Sequence, residues 1–147
     1  MRVCRDPTYH LKMRITRIAW VAASAAVLLV ATGCTSQPDP NATACTGWST
    51  ATDAWATAEQ SASTSSAHLA SLRSDLHSEL QKASRTATGE VKSAMTSAVA
   101  DLPENALRIV EPGSKYRSAY DSANSQVQKT CTAAGHTIAL KPAPVVS

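Results

Sequence analysis

The residues that could do chemistry in this 147-residue chain are its histidines, cysteines and carboxylates, and their spacing decides which chemistry is open to them. His68 and His77 are nine residues apart, which places them on opposite sides of a continuous helix. After residue 33, no histidine lies three or four residues from another histidine or a cysteine, so the usual spacing of zinc ligands is missing. Asp75 and Glu79 share a helix face with basic residues, which is typical of a solvated charged surface. We therefore predict no metal site and no cofactor.

The many serines do not indicate a nucleophile either. The sequence has no G-x-S-x-G elbow and no glycine-rich phosphate loop of the Walker or Rossmann type. Nothing in the residue pattern supplies an activated nucleophile with a base beside it. We therefore predict that the protein is not an enzyme.

Cys34 is the residue whose neighbours most clearly indicate a chemical role. Residues 30–34 read Val-Ala-Thr-Gly-Cys and lie at the end of an uncharged run, Ile18 to Thr32, that follows basic residues. That run has about 15 residues, whereas a bilayer-spanning helix needs roughly 20. A basic start followed by a short apolar core is typical of a secretory signal peptide. The string resembles the bacterial lipobox, which implies cleavage between Gly33 and Cys34 and acylation of Cys34. An uncleaved anchor, or an ordinary signal peptide with a chance cysteine, is the alternative.

The leader, residues 1–33, has two further consequences. Asp6 and Pro7 are unusual ahead of an apolar core, so we predict that translation starts at Met13. The leader also carries five of the 14 Lys and Arg residues and one of the 11 acids, so the remainder has a formal charge of −1 instead of +3. That remainder has no cluster of basic residues, and we predict no binding of nucleic acid.

Composition divides the remaining chain into three parts. Residues 34–43 carry the cysteine, two prolines and no large apolar side chain, and we predict a flexible tether. Residues 44–135 are predicted to form one helical domain. Residues 136–147 contain two prolines and no helical period, which predicts a disordered tail.

The domain has helical periodicity throughout. Apolar and small residues recur every seven positions from Trp48 to Ala83, which indicates helices packed at a shallow angle. The small polar run 61–66 leaves open whether this is one long helix or two. Asp101 is predicted to cap a further helix, Ser114 to cap the last one, and Gly135 to end it. We predict an all-α fold, an antiparallel bundle or long hairpin of three to four helices.

Cys45 and Cys131 open the first predicted helix and close the last. Thiols in an exported protein tend to pair, and pairing would make these two helices antiparallel. The domain is rich in Ala, Ser and Thr and has no Phe, and small domains with thin cores are commonly stapled. We predict one disulfide; two free or intermolecular cysteines are the alternative.

Four aromatic residues could support binding. Trp48 and Trp55 lie two turns apart on one helix, and Tyr116 and Tyr120 lie one turn apart on the last. Antiparallel helices would bring the two pairs to overlapping levels, where they could line a pocket for an apolar ligand. The alternative is that they are simply the largest core residues of an alanine-rich bundle.

The layout of signal peptide, lipobox, short Pro/Thr tether and Ala-rich helical domain with a cysteine near each end resembles that of small actinobacterial lipoproteins. The resemblance implies an extracytoplasmic protein, anchored to the cell membrane by a lipid on Cys34. We expect a non-enzymatic helical module that contacts another envelope or membrane protein. A carrier or sensor of a small apolar ligand is the alternative function.

Replacing Cys34 with Ala tests the anchor. Without the thiol no diacylglyceryl thioether can form, and two acyl chains are what make anchoring stable. We expect the Cys34→Ala chain to be released from the membrane or to stay unprocessed in a membrane fractionation. Membrane retention of the variant at mature size would contradict the lipobox.

Overall fold

A computed structural model describes residues 38–145. Over that range the chain is all-helical, with five helices and no strand, which confirms the predicted fold class. The helices are α1 (Pro40–Gln60), α2 (Ser66–Thr86), α3 (Gly89–Ala100), α4 (Leu107–Val110) and α5 (Lys115–Ala133).

Several sequence predictions fall outside the described residues. They are the signal peptide 1–33, the start at Met13, the cleavage site at Gly33 and the lipidation of Cys34. Among the helices of residues 38–145, none is both long and apolar enough to cross a membrane.

The four long helices form an up-down bundle with short connections. α2 packs between α1 and α3, and α3 packs between α2 and α5. Among the neighbouring pairs of long helices, α1 and α2 pack most extensively and α1 and α5 least. α4 is a single turn that packs on α5 and fills the connection between α3 and α5. Helix packing therefore contributes least to closing the bundle along the edge between α1 and α5.

The periodic segment from Trp48 to Ala83 is two helices, because the chain turns at residues 61–65. The Ser65 side chain caps α2 by accepting a hydrogen bond from the His68 N–H at 3.3 Å. Ala62 is exposed in the turn instead of continuing the apolar stripe. Small polar residues that compete for backbone hydrogen bonds therefore break the helix here.

α1 begins four residues before the predicted domain start at 44, so the prediction of a tether through residue 43 is wrong. Asp39 is the N-cap, and its carboxylate accepts the Asn41 N–H at 2.9 Å. That hydrogen bond lowers the pKa of the Asp39 carboxyl. Pro40 occupies the first helical turn, where its missing N–H leaves no hydrogen bond unmade.

The predicted helix start at Asp101 is also wrong. Asp101 adopts a helical conformation as the C-cap of α3, and its backbone N–H bonds to the Val99 carbonyl. Leu102 then turns into the core, where it is buried, and the next helix begins only at Leu107. Burial of the Leu102 side chain therefore determines the backbone conformation here, and the preference of Asp101 for an N-cap position does not.

α5 begins and ends where the sequence predicts. The Ser114 side chain accepts the Tyr116 N–H at 3.2 Å, and Gly135 follows the helix with a φ of +90°. The His136 N–H bonds to the Cys131 carbonyl at 2.8 Å and the Gly135 N–H to the Thr132 carbonyl at 3.0 Å. This pair of bonds is a Schellman motif, and it reverses the direction of the chain.

Residues 137–145 form a segment that we call the C-terminal strap, and it is ordered along the bundle. The prediction of disorder from residue 136 is therefore wrong over the described part of the tail. Ala143 and Pro144 are buried, and Ile138 and Leu140 are half-buried against the core. The strap lies between α1 and α5, at the edge where helix packing is least extensive.

The disulfide between Cys45 and Cys131 lies in the core at one end of the bundle. The Cα atoms are 6.0 Å apart, within the range that a disulfide needs. The largest side chains without exposed surface fill the rest of the core: Trp48, Trp55, Tyr120, Leu80, Met95, Ile109 and Val127.

Reduction of the disulfide should lower the free energy of unfolding by about 4–5 kcal/mol. The two cysteines are 86 residues apart in the sequence, and opening the loop between them raises the conformational entropy of the unfolded chain. Urea titrations with and without reductant measure the difference. The Cys45→Ala/Cys131→Ala variant is the matched control and should not respond to reductant. Equal stability of the reduced and oxidised wild-type chain would contradict the expectation.

Candidate functional site

The structure places three of the four candidate aromatic residues entirely inside the bundle. Trp48, Trp55 and Tyr120 have no exposed surface. The rings of Trp55 and Tyr120 meet edge to face with their centroids 5.3 Å apart. Trp48 instead donates its indole N–H to the Asn124 amide oxygen at 3.0 Å. These three side chains therefore fill the core and form contacts with each other and with polar core residues.

Tyr116 lies apart from the other aromatic residues, half-buried near the start of α5. Arg108 and Lys115 lie over its ring at 5.4 and 5.2 Å from the centroid. Cations attract the face of an aromatic ring, so this contact pins α4 to the start of α5. The four candidates are not brought together around one pocket.

The surface of the described residues carries shallow grooves. Five of them have volumes between about 200 and 590 Å³, and the side chains that line these five are small, polar or aliphatic, with no aromatic residue among them. Two of the five run along the two edges of the C-terminal strap. The surface is therefore better suited to a macromolecular contact than to enclosure of a small apolar ligand.

The largest polar constellation in the core joins α1 to α2. The fully buried Glu59 carboxylate accepts two hydrogen bonds from the Arg73 guanidinium, at 2.5 and 2.6 Å. The same carboxylate accepts the Trp55 indole N–H at 3.1 Å. Hydrogen bonding to Glu59 raises the pKa of Arg73 above its ordinary value. Both charges are thus paired and hydrogen-bonded, as buried charges must be.

This pair also holds the α3–α5 connection. The Ala106 N–H donates to the backbone carbonyl of Arg73 at 3.0 Å, just before α4 begins. Arg73 therefore contacts α1 through its side chain and the α4 region through its backbone. The contact is structural, because the Glu59 carboxylate is fully buried and the Arg73 side chain is only 20% exposed.

The Tyr120 hydroxyl and the Asn124 amide lie one helical turn apart on α5 and interact with each other inside the core. Burial raises the pKa of the Tyr120 hydroxyl, and the hydrogen bond from Asn124 opposes this shift only in part. The hydroxyl therefore stays protonated. Asn124 also lines the groove between α5 and the strap, but its amide nitrogen is buried.

The histidines of the described residues are far apart and differ in surroundings. His68 is exposed, His77 is half-buried, and His136 lies 3.2 Å from the Asp39 carboxylate. Over residues 38–145 the structure has no group of three or more His, Cys, Asp or Glu placed to hold a metal ion.

Sequence reasoning missed the roles of Glu59, Arg73 and Asn124. Trp55 and Glu59 are four residues apart, and this spacing on one helix permits the hydrogen bond that forms. Arg73 carried no such signal, because it reaches Glu59 only when the chain turns at 61–65 and α2 folds back on α1.

Comparison with known proteins found no matching family model, no similar curated protein and no similar solved structure. The function is therefore argued from the residues of this chain.

Replacing Glu59 with Gln tests the buried pair. The change leaves the Arg73 charge without its counter-charge, and we expect the free energy of unfolding to fall by about 2–4 kcal/mol. Glu79→Gln is the matched control. Glu79 pairs with Lys82 on the surface, so its loss should cost less than about 1 kcal/mol. Equal losses in the two variants, measured by urea denaturation, would show that burial does not strengthen the Glu59–Arg73 contact.

Proposed function

We propose that this protein is a lipid-anchored lipoprotein of the cell envelope whose helical domain is a non-enzymatic module that contacts another envelope or membrane protein. The lipobox-like string at residues 30–34 supports the anchor. The protein would then be extracytoplasmic, held to the membrane by the lipid on Cys34. A core disulfide is consistent with an oxidising compartment of this kind.

The observation that carries the interaction role is the use of the aromatic residues. Trp48, Trp55 and Tyr120 are all buried in the core. The surfaces of the domain that other molecules can contact are therefore its outer helix faces and grooves. Those faces carry small, polar and a few aliphatic side chains, held in fixed positions by the bundle. A surface that is already fixed binds a partner with less loss of conformational freedom.

Cys34 lies close in sequence to the start of the helical domain. Five residues separate Cys34 from Pro40, and Cys45 lies in the second turn of α1. A lipid on Cys34 would therefore be joined by a short connection to the end of the bundle that the disulfide closes. The helix faces beyond that end would be presented to a partner.

Site-specific photo-crosslinking in cells tests this function. A photoreactive residue is placed at one exposed position on each long helix: Thr50, Ser78, Ser93 and Ser125. We expect one envelope protein to be captured from one or two neighbouring positions and not from all four, because a specific contact covers one face. The same probes in the Cys34→Ala background should lose the adduct. Absence of an adduct at all four positions in the anchored chain would overturn the proposal.

A further inference from the structure

The C-terminal strap is held chiefly through its main chain. Ser49 of α1 donates to the Ala139 carbonyl at 3.3 Å, and Gln128 of α5 donates to the Ile138 carbonyl at 2.8 Å. Further along, the Ala143 N–H donates to the Asp121 carboxylate at 2.8 Å.

Arg117 completes this set by donating to the Pro144 carbonyl. Main-chain groups are the same in every peptide. The groove between α1 and α5 therefore recognises an extended chain with little dependence on its sequence.

Side chains add a limited preference. Lys141 of the strap lies 2.6 Å from the Asp53 carboxylate and donates to the Thr57 hydroxyl at 3.2 Å. Ala143 and Pro144 are buried, whereas Lys141, Pro142 and Val145 are exposed. The groove thus favours a basic residue followed closely by a small residue and a proline.

Two shallow open grooves flank the strap, with volumes of about 590 Å³ on the α1 side and about 320 Å³ on the α5 side. The α5-side groove is lined by Asp121 and Gln128 of α5 and by Leu140 and Pro142 of the strap. A segment bulkier than the strap would contact these walls over a larger area.

We propose that the α1–α5 groove is the partner-binding site, and that its partner is an extended, proline-containing segment of another protein that displaces the strap. The segment carries a basic side chain for Asp53. The strap occupies the site when the partner is absent. This inference rests on the proposed interaction function and names the chemistry of the partner.

A labelled peptide with the sequence of residues 137–145 measures access to the groove in the full chain. Lys141→Glu in the protein replaces the ion pair with Asp53 by a repulsion between two carboxylates, so the strap should leave the groove more often. The peptide should then bind about tenfold more tightly. Lys141→Ala removes only the ion pair and should give a smaller change in the same direction. Lys129→Glu, the same charge change away from the strap, is the control and should bind like wild type.

A charge swap tests the contact itself. Adding Asp53→Lys to Lys141→Glu re-pairs the strap in reversed polarity and should return binding of a Lys141→Ala peptide, which has no charge at this position, to the weak wild-type level. Equal peptide binding by all protein variants, or binding by none of them, would overturn the proposal.

The cellular crosslinks distinguish this inference from the function on which it rests. Thr50 and Ser125 flank the strap. Capture of an envelope protein at these two positions, lost when the peptide is added in excess, would support the groove as the binding site. Capture only at Ser78 or Ser93 keeps the interaction function and overturns the groove as its site. Crosslinks between two copies of this chain would instead show an exchanged strap and would also overturn it.

Discussion

The disulfide between Cys45 and Cys131 is the constraint on which the arrangement of the helices depends. It joins the second turn of α1 to the last turn of α5, and it lies at the edge where those helices pack least extensively on each other. Because the two ends are fixed together, α5 must run antiparallel to α1, and α2 and α3 must complete the circuit between them. The same bond reduces the number of conformations open to the unfolded chain. This stabilisation matters in a domain built largely from Ala, Ser and Thr, because such a domain has few large side chains to bury. The strap then covers the part of the α1–α5 edge that the disulfide does not reach.

The core combines few large apolar side chains with polar groups that are nearly all satisfied. Trp48 and Trp55 supply large buried rings, and each needs an acceptor for its indole N–H. Asn124 provides one from α5, and Glu59 provides the other from within α1. Each acceptor brings a further polar group into the core. Asn124 brings its own amide nitrogen, and Glu59 brings the Arg73 guanidinium. Glu59 is fully compensated by Arg73 and Trp55, whereas the Asn124 amide nitrogen has only the neighbouring Tyr120 side chain to interact with in the core.

Local patterns in the sequence predicted the features that depend on neighbouring residues. Helical periodicity gave the all-α class, Ser114 and Gly135 marked the ends of α5, and the positions of the cysteines indicated the disulfide. Features decided by distant contacts were missed or misassigned. Residues 137–145 have no period because they are extended, yet contacts from α1 and α5 order them. Asp101 has a good capping side chain, but the burial of Leu102 determines the backbone there. The Glu59–Arg73 pair exists only because the turn at 61–65 places α2 on α1.

The reversal of the chain at Gly135 has a mechanical consequence. The strap runs back along α5, so Pro40 and Val145 lie at opposite ends of a bundle whose last helix, with 19 residues, is about 28 Å long. Tension between those two points would pass from the first turns of α1 through the disulfide into the end of α5, and from there along the strap. Residues 46–130 lie outside that covalent path and would bear load only through their contacts with the strap. The strap would be the first element to yield, since side-chain contacts and two buried residues hold it, while the helices behind the disulfide would stay folded.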